Sequence, residues 1–99
     1  MVTLLATYQT PSDPEQFLAH YQEVHAPLAK AMPGLQSLAW GKVANLGGEH
    51  PLFLVATMEF LDRDALDRAL ASPEGRAAGR DLNTFAKGIY ELKVVEWQS

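Results

Sequence analysis

The residue best suited to chemistry is His25, one of three histidines in a chain of 99 residues without cysteine. Around it, apolar residues recur at steps of three and four, which predicts a helix whose apolar face is made of Phe17, Leu18, Tyr21, Val24, Leu28 and Met32. His25 lies on that face, so we expect a buried, largely neutral imidazole that can act as a base. The alternative is a structural histidine whose ring bonds a backbone carbonyl freed by Pro27.

The helix that carries His25 has recognisable ends and one interruption. Asp13-Pro14 supplies a capping residue followed by proline at the first helical position, and Pro33-Gly34 ends the segment. Pro27 cannot donate a hydrogen bond to the carbonyl of Glu23, so the helix is expected to kink or restart there. His25 therefore lies beside a break in the helix.

Several other side chains are candidates for a site. Asp81 lies one turn before Phe85 at the edge of an apolar stripe, although a surface or capping carboxylate is the alternative. The hydroxyls of Tyr8 and Tyr21 either face a pocket or reach water from the core. An apolar pocket wall is predicted from five residues that are otherwise simply core: Leu28, Trp40, Met58, Phe60 and Phe85.

No metal, nucleotide or phosphate site is predicted. His20 and His25 are five residues apart, which puts them on different faces of an α-helix, and a helical ligand pair is four apart. Gly47-Gly48 lies in a turn-rich connection without the lysine and helix of a phosphate loop. The sequence also lacks the G-x-G-x-x-G dinucleotide fingerprint. We therefore expect neither a bound metal nor a cofactor.

Length and composition favour a small globular protein. The 99 residues suit a single domain over 1–99, and 47% apolar residues are ample for its core. The formal net charge of −4, without a lysine or arginine run, argues against nucleic acid and anionic membranes as partners. The N-terminus does not resemble a signal peptide, and no window approaches about 18 apolar residues. We expect a soluble, cytoplasmic protein.

The order of predicted elements defines the fold class. Strands are expected over Val2 to Tyr8, Leu35 to Ala44, Leu52 to Phe60 and Ile89 to Trp97. The first helix separates the first two strands, and helices beginning after Asp62 and Ser72 precede the last strand. The resulting βαββαβ order is typical of an α+β, ferredoxin-like domain with a four-stranded antiparallel sheet and helices on one face.

The predicted strands are apolar on both faces, which one chain cannot cover. In the third strand Leu54, Ala56 and Met58 alternate with Phe53 and Val55. Because the helices cover only one face, the other would be an unusually large apolar patch. The expected solution is a homodimer in which two copies pack their sheets face to face.

These features resemble one protein family over essentially the whole chain. The most specific part is Phe17-x-x-x-Tyr21-x-x-x-His25-x-Pro27-Leu28 followed by Pro33-Gly34, with support from Ser72-Pro73-Glu74-Gly75 and Asp81-x-x-x-Phe85. The pattern resembles the EthD family of dimeric α/β-barrel proteins, named from a bacterial gene cluster for degrading ethyl tert-butyl ether. The resemblance implies a homodimeric barrel with a pocket in each subunit between sheet and helices. It implies no metal and no established common reaction.

The resemblance also implies that Asp81 lies at the same pocket as His25. The carboxylate is then expected to hold one imidazole nitrogen and fix its tautomer. The main hypothesis is a homodimer that binds a small, largely apolar molecule and turns it over by acid–base or cofactor-free oxidative chemistry, as an oxidoreductase-like or isomerase-like enzyme. The alternatives are a non-catalytic binding or accessory protein and an assembly module whose pocket is filled by its own side chains.

Overall fold

A computed structural model describes residues 1–98. Four strands form one sheet: β1 (Val2–Tyr8), β2 (Ser37–Lys42), β3 (Leu54–Phe60) and β4 (Tyr90–Glu96). The helical elements are α1 (Pro14–His20), a π-helical segment (Tyr21–His25), α2 (Ala26–Lys30), α3 (Arg63–Ala71) and α4 (Pro73–Phe85). The predicted βαββαβ order is confirmed. Within residues 1–98, no helix has the length and apolar character needed to cross a membrane.

Strand β1 lies inside the sheet, whose order is β2-β3-β1-β4 with every neighbouring pair antiparallel. In this register Tyr8 pairs with Leu54 and Tyr90, and paired residues direct their side chains to the same face of the sheet. The helices cover one face, where the buried side chains of β1 and β3 are Val2, Leu4, Ala6, Tyr8, Leu54, Ala56, Met58 and Phe60. This is the ferredoxin-like α+β architecture that the sequence predicts.

The first helix begins at its predicted cap, where the Asp13 carboxylate accepts the N–H of Gln16, but it changes register halfway. The N–H of Ala26 donates to the carbonyl of Tyr21, five residues earlier, so this turn is π-helical. Ala26 keeps helical dihedrals (φ −59°, ψ −42°) although Pro27 follows it. The wider turn gives room to the proline ring, which in a regular helix meets the carbonyl four residues earlier. The expected kink or restart is therefore a change of hydrogen-bond register within one helix.

The additional residue in the π-helical segment shifts the buried stripe of this helix by one position. Tyr21 is buried as predicted, but Ala26 and Ala29 follow it into the core. Val24 is 41% exposed, and Leu28 is only half-buried. The prediction that Val24 belongs to the core is wrong, because it assumed a regular α-helical period across a wider turn.

Helices α3 and α4 meet at a tight elbow. The Ser72 hydroxyl donates to the carbonyl of Ala69 at 2.6 Å and accepts the N–H of Gly75 at 3.0 Å. A Cβ at position 75 would lie 2.1 Å from the Ala69 carbonyl oxygen. The elbow therefore requires glycine at this position, because the backbones of the two helices touch there.

The sheet face turned away from the helices mixes apolar and polar side chains. On β1 and β3 its residues are Thr3, Leu5, Thr7, Val55, Thr57 and Glu59. Trp97 covers one end, because its indole N–H donates to the Thr3 hydroxyl at 2.7 Å. Phe53 was predicted on this face, but its ring contacts Phe17 of α1, with centroids 5.8 Å apart. The face is therefore less apolar than the sequence pattern predicts.

Candidate functional site

A cavity of about 60 Å³ lies between the helix-covered face of the sheet and the helices. Its lining residues come from every layer of the fold: Leu4, Ala6, Tyr8, Tyr21, His25, Ala29, Met32, Met58, Leu70, Gly75, Ala78, Gly79, Leu82 and Leu92. Most of this wall is apolar. Leu70 and Leu92 are 39% and 43% exposed, so the cavity opens between α3 and β4.

Three polar side-chain atoms on residues that line the cavity make no hydrogen bond among residues 1–98. They are the hydroxyl oxygens of Tyr8 and Tyr21 and Nε2 of His25. Their residues are 1%, 1% and 5% exposed, yet no side-chain nitrogen or oxygen in the described chain is both sealed and unpaired. We infer that these three atoms border free space, and the cavity that their residues line is the space we assign to them.

His25 is held from its other nitrogen by Asp81. Nδ1 of His25 lies 3.0 Å from a carboxylate oxygen of Asp81, and the two side chains are 6% and 11% exposed. A carboxylate only accepts, so Nδ1 carries the hydrogen and Nε2 keeps its lone pair in the neutral ring. The contact expected between His25 and Asp81 is present; its role in catalysis stays a prediction.

The same carboxylate binds a second histidine, which the sequence analysis assigned to a different face of the helix from His25. Nε2 of His20 lies 2.8 Å from one Asp81 oxygen and 3.1 Å from the other. In a regular α-helix, His20 and His25 would be about 140° apart around the axis. The π-helical segment between them removes most of this offset, because its bonds join residues five apart. The expectation of different faces is therefore wrong.

Phe85 contacts both histidine rings on the outer side of the site. Its ring stacks on His20 with centroids 4.6 Å apart and lies 5.0 Å from the His25 ring. Beyond it lies a groove of about 270 Å³, which we call the outer groove, lined by Pro11, Ser12, Asp13, Gln16, Phe17, His20 and Phe85. His25 lines the cavity and His20 lines the outer groove, so Asp81 bridges two imidazoles that border different spaces.

Burial has a different consequence for each titratable group at the cavity. Burial lowers the pKa of His25, against the hydrogen bond and charge of Asp81, which raise it. The sequence left this direction open, and the lowered pKa favours the neutral ring. Burial also raises the pKa of Tyr21 to about 12, and burial together with the nearby Tyr21 and Asp81 raises the pKa of Tyr8 further. Both tyrosines are therefore protonated donors at neutral pH.

The remaining predicted wall residues divide into two groups. Met58 lines the cavity together with Tyr8 and Tyr21. Leu28, Trp40, Phe60 and Phe85 do not line it. Leu28 is turned away by the π-helical register, Phe60 is fully buried core, and Trp40 packs edge-on against Tyr21 at 5.2 Å.

Sequence reasoning missed the small residues that make the space. Gly75, Ala78 and Gly79 of α4 line the cavity, and a Cβ built at Gly79 meets nothing within 4 Å. Two glycines one helical turn apart are unfavourable in a helix interior, and that spacing was the available signal. Among residues 1–98, no three His, Cys, Asp or Glu side chains are grouped so that they could hold a metal ion.

Comparison with known proteins identifies relatives at the level of sequence. Residues 9–88 match the EthD domain family. An 11.0 kDa protein encoded between thcB and thcC in Rhodococcus erythropolis is 35% identical over 89 residues, which cover 89% of this chain and 86% of that protein. The crystal structure of an EthD family protein from Bacillus halodurans has a TM-score of 0.93 and 33% identity, and the match covers 99% of both chains.

More distant structures share the fold alone. SnoaB, a cofactor-independent oxygenase from Streptomyces nogalater, has a TM-score of 0.70 and 17% identity over 99% of this chain and 93% of its own. A dimeric protein with a ferredoxin-like fold from Bacteroides fragilis has a TM-score of 0.67 and 20% identity over 97% of this chain and 95% of its own. Together, the matched residues 9–88 and the two relatives above 30% identity show that the chain belongs to the EthD family.

Proposed function

We propose that this EthD family protein binds a small, largely apolar organic molecule that carries one polar group. The observation that carries this proposal is that Tyr8, Tyr21 and His25 line an otherwise apolar cavity, and that each has a polar side-chain atom without a partner within residues 1–98. A carbonyl or phenol of the ligand would bond these atoms, while its hydrocarbon part would displace water from apolar walls such as Met58. Few precisely placed polar groups in an apolar pocket are typical of such sites.

The cavity volume limits how such a ligand is held. About 60 Å³ has room for roughly two water molecules, whereas a cavity that holds benzene measures about 150 Å³. A ligand of that size therefore extends between Leu70 and Leu92 or pushes them outward. We propose a polar head at the tyrosines and an apolar part at this mouth.

The chemistry supported best is proton transfer at His25. With Nδ1–H held by Asp81, Nε2 is free to remove a proton next to a ligand carbonyl. The negative charge that develops on the ligand oxygen would be stabilised by the hydroxyls of Tyr8 and Tyr21. The same step can begin an isomerisation or an oxidation without a bound cofactor, and SnoaB, described as a cofactor-independent oxygenase, has the same fold.

The working unit in this proposal is a homodimer through the uncovered sheet face. That face carries Leu5 and Val55, and the helices leave it bare. A second copy would cover it by face-to-face sheet packing. The dimeric state of the ferredoxin-like relative from Bacteroides fragilis supports the assembly. Sedimentation at micromolar concentration is expected to give twice the chain mass.

A second candidate is a binding protein that stores or delivers the molecule without reacting with it. The nearly apolar wall and the exposed leucines at the mouth favour retention of an apolar compound. The two candidate functions differ in whether they require Nε2 of His25. Turnover requires Nε2 of His25, whereas retention requires only the apolar walls and one hydrogen-bond donor.

Native mass spectrometry of freshly purified protein tests for a retained molecule. Gly79→Leu is the variant designed to fill the cavity and prevent retention. The introduced side chain would enter open space in the cavity, and leucine is a better helix former than glycine, so the fold is expected to persist. Arg76→Leu on the exposed side of α4 is the control. We expect the molecule in the wild type and in the control but not in Gly79→Leu. Equal retention in all three proteins would place the ligand elsewhere and remove the proposed site.

A further inference from the structure

We propose that His20 is a positioning residue for His25, which holds Asp81 in place and transmits its own charge state from the outer groove to the cavity. Its part in turnover rests on the function proposed above. The coupling between the two histidines does not, since it is a property of the protein without ligand.

The geometry supports this through one shared carboxylate. One carboxylate oxygen of Asp81 accepts a hydrogen bond from His20 Nε2 at 2.8 Å, and the other accepts one from His25 Nδ1 at 3.0 Å. The two bonds fix the carboxylate plane, because rotation about its side chain would break at least one of them. Asp81 is 11% exposed and His20 is 30% exposed, so only the outer end of this array meets solvent. His20 thus fixes Asp81, and Asp81 fixes the tautomer of His25.

Stacking on Phe85 orients His20 itself. The two rings are 4.6 Å apart with an interplanar angle of 28°, which leaves Nε2 directed at Asp81. Phe85 also lies 5.0 Å from His25, so the same aromatic ring contacts both imidazoles. His20 therefore has an orienting contact on its face as well as a hydrogen-bond partner at its edge.

The charge of His20 acts on His25 through Asp81, and few other ionisable groups face these three side chains. On the His25 side these are Asp81 and the neutral phenols of Tyr8 and Tyr21; on the His20 side they are Asp81 and Asp13, which also lines the outer groove. A proton on His20 strengthens its bond to Asp81 and opposes a second positive charge on His25. Because both rings bond the same carboxylate, the charge of one ring acts on the other.

Each nitrogen of His25, and Nε2 of His20, has a defined protonation state in this arrangement. With Asp81 ionised, His20 Nε2–H and His25 Nδ1–H each donate one hydrogen bond, and His25 Nε2 holds the free lone pair. A proton taken from a ligand forms a bond to Nε2 and makes an imidazolium, whose charge Asp81 balances. A neutral His20 favours this imidazolium and a protonated His20 opposes it. The charge state of His20, at the outer groove, therefore sets the basicity of Nε2 of His25.

NMR titration of the imidazole carbons and nitrogens in the ligand-free wild type is the first test. We expect the titration curve of His25 to show a second inflection that reports protonation of His20. His50, in the loop before β3, serves as the internal control. Independent single inflections for His20 and His25 would overturn the proposed coupling, and no variant is needed for this result.

Two variants separate the charge of His20 from its hydrogen bond. His20→Gln keeps an N–H donor of similar reach without the charge, and we expect the pKa of His25 to rise while Nδ1 stays protonated in the nitrogen shifts. His20→Phe keeps the stacking on Phe85 without the donor, and we expect the fixed Nδ1–H tautomer to be lost. An unchanged His25 curve in His20→Gln, or an unchanged tautomer in His20→Phe, would overturn the corresponding half of the proposal. A coupled pair in a protein that binds no ligand would overturn only the proposed function.

Discussion

The N–H of Ala26 donates to the carbonyl of Tyr21 five residues earlier, and this spacing brings His20 and His25 to the same carboxylate. A regular helix would have directed one of the two rings away from Asp81. Single π-turns within α-helices occur often at functional sites, since they redirect side chains at little loss of backbone bonding. In this protein, the turn lies directly before Pro27, which supplies the reason for it.

Replacing Pro27 with alanine is expected to restore a regular helix. The new N–H can bond the carbonyl of Glu23, which removes the need for the wide turn and stabilises the helix by on the order of 1–3 kcal/mol. His25 should then leave Asp81, so ligand retention falls and the Nδ1–H tautomer is lost. Denaturant unfolding and imidazole NMR measure the two effects. Pro73→Ala, at the start of α4, is the control, since a missing N–H costs nothing there.

Asp81→Asn is expected to lower the pKa of His25. The carboxylate raises this pKa by its hydrogen bond and its charge, while burial lowers it, so removing the charge leaves burial less opposed. NMR titration measures the shift, and His50 provides the reference within the same sample. Identical His25 curves in the wild type and Asp81→Asn would show that the pair has no electrostatic coupling, and His25 would then be a structural residue of the helix.

Acidification is expected to destabilise the fold through His25. Its folded-state pKa is lowered from 6.5, so the unfolded chain binds a proton that the folded chain resists. The contribution of the neutral ring is fully present above pH 6.5 and is lost as the pH falls through the lower folded-state value. Urea unfolding between about pH 7 and about pH 5 measures this slope. His25→Gln should show a shallower slope over the same range, and an equal slope would assign the effect to other groups.

The two glycines of α4 that line the cavity are expected to respond in opposite ways to alanine. Gly75→Ala places a methyl group 2.1 Å from the Ala69 carbonyl oxygen, so a loss of about 1–3 kcal/mol or more in the free energy of unfolding is expected. Gly79→Ala enters open space in a helix interior and should gain about 0.5–1 kcal/mol. Thermal unfolding of both variants gives the comparison. Similar effects at the two positions would contradict the close contact at the elbow.

Removing the hydroxyls of Tyr8 and Tyr21 is expected to affect ligand binding more than stability. Neither hydroxyl has a partner among residues 1–98, so each Tyr→Phe variant should unfold within about 0.5 kcal/mol of the wild type. Each lost ligand hydrogen bond should weaken binding by about 3- to 10-fold, which corresponds to the usual net value of such a bond. Titration with the molecule recovered from the wild type measures this. Tyr90→Phe, whose hydroxyl donates to Asn83 at 2.8 Å, is the control.

Local sequence signals were sufficient to predict the fold class and the helix starts, whereas β2, β3 and β4 are shorter than predicted by one or two residues at one or both ends. Alternating apolar residues defined the strands, and Asp13, Asp62 and Ser72 marked the helix starts where their side chains do accept backbone N–H groups. These signals are local, because each depends on residues within about one turn or one strand. The motif around His25 and Pro27 was also sufficient to indicate the EthD family, which the sequence relatives confirm.

Tertiary structure decided which side chains share a space. The periodicity placed Val24 and Leu28 inside, but the one-residue offset of the π-helical segment replaced them with Ala26 and Ala29. No local pattern shows such an offset, because hydrophobic periodicity assumes a constant number of residues per turn. His20 reached Asp81 for the same reason, across 61 positions of sequence. The site therefore depends on how one irregular turn packs against a distant helix, and only the folded chain specifies that.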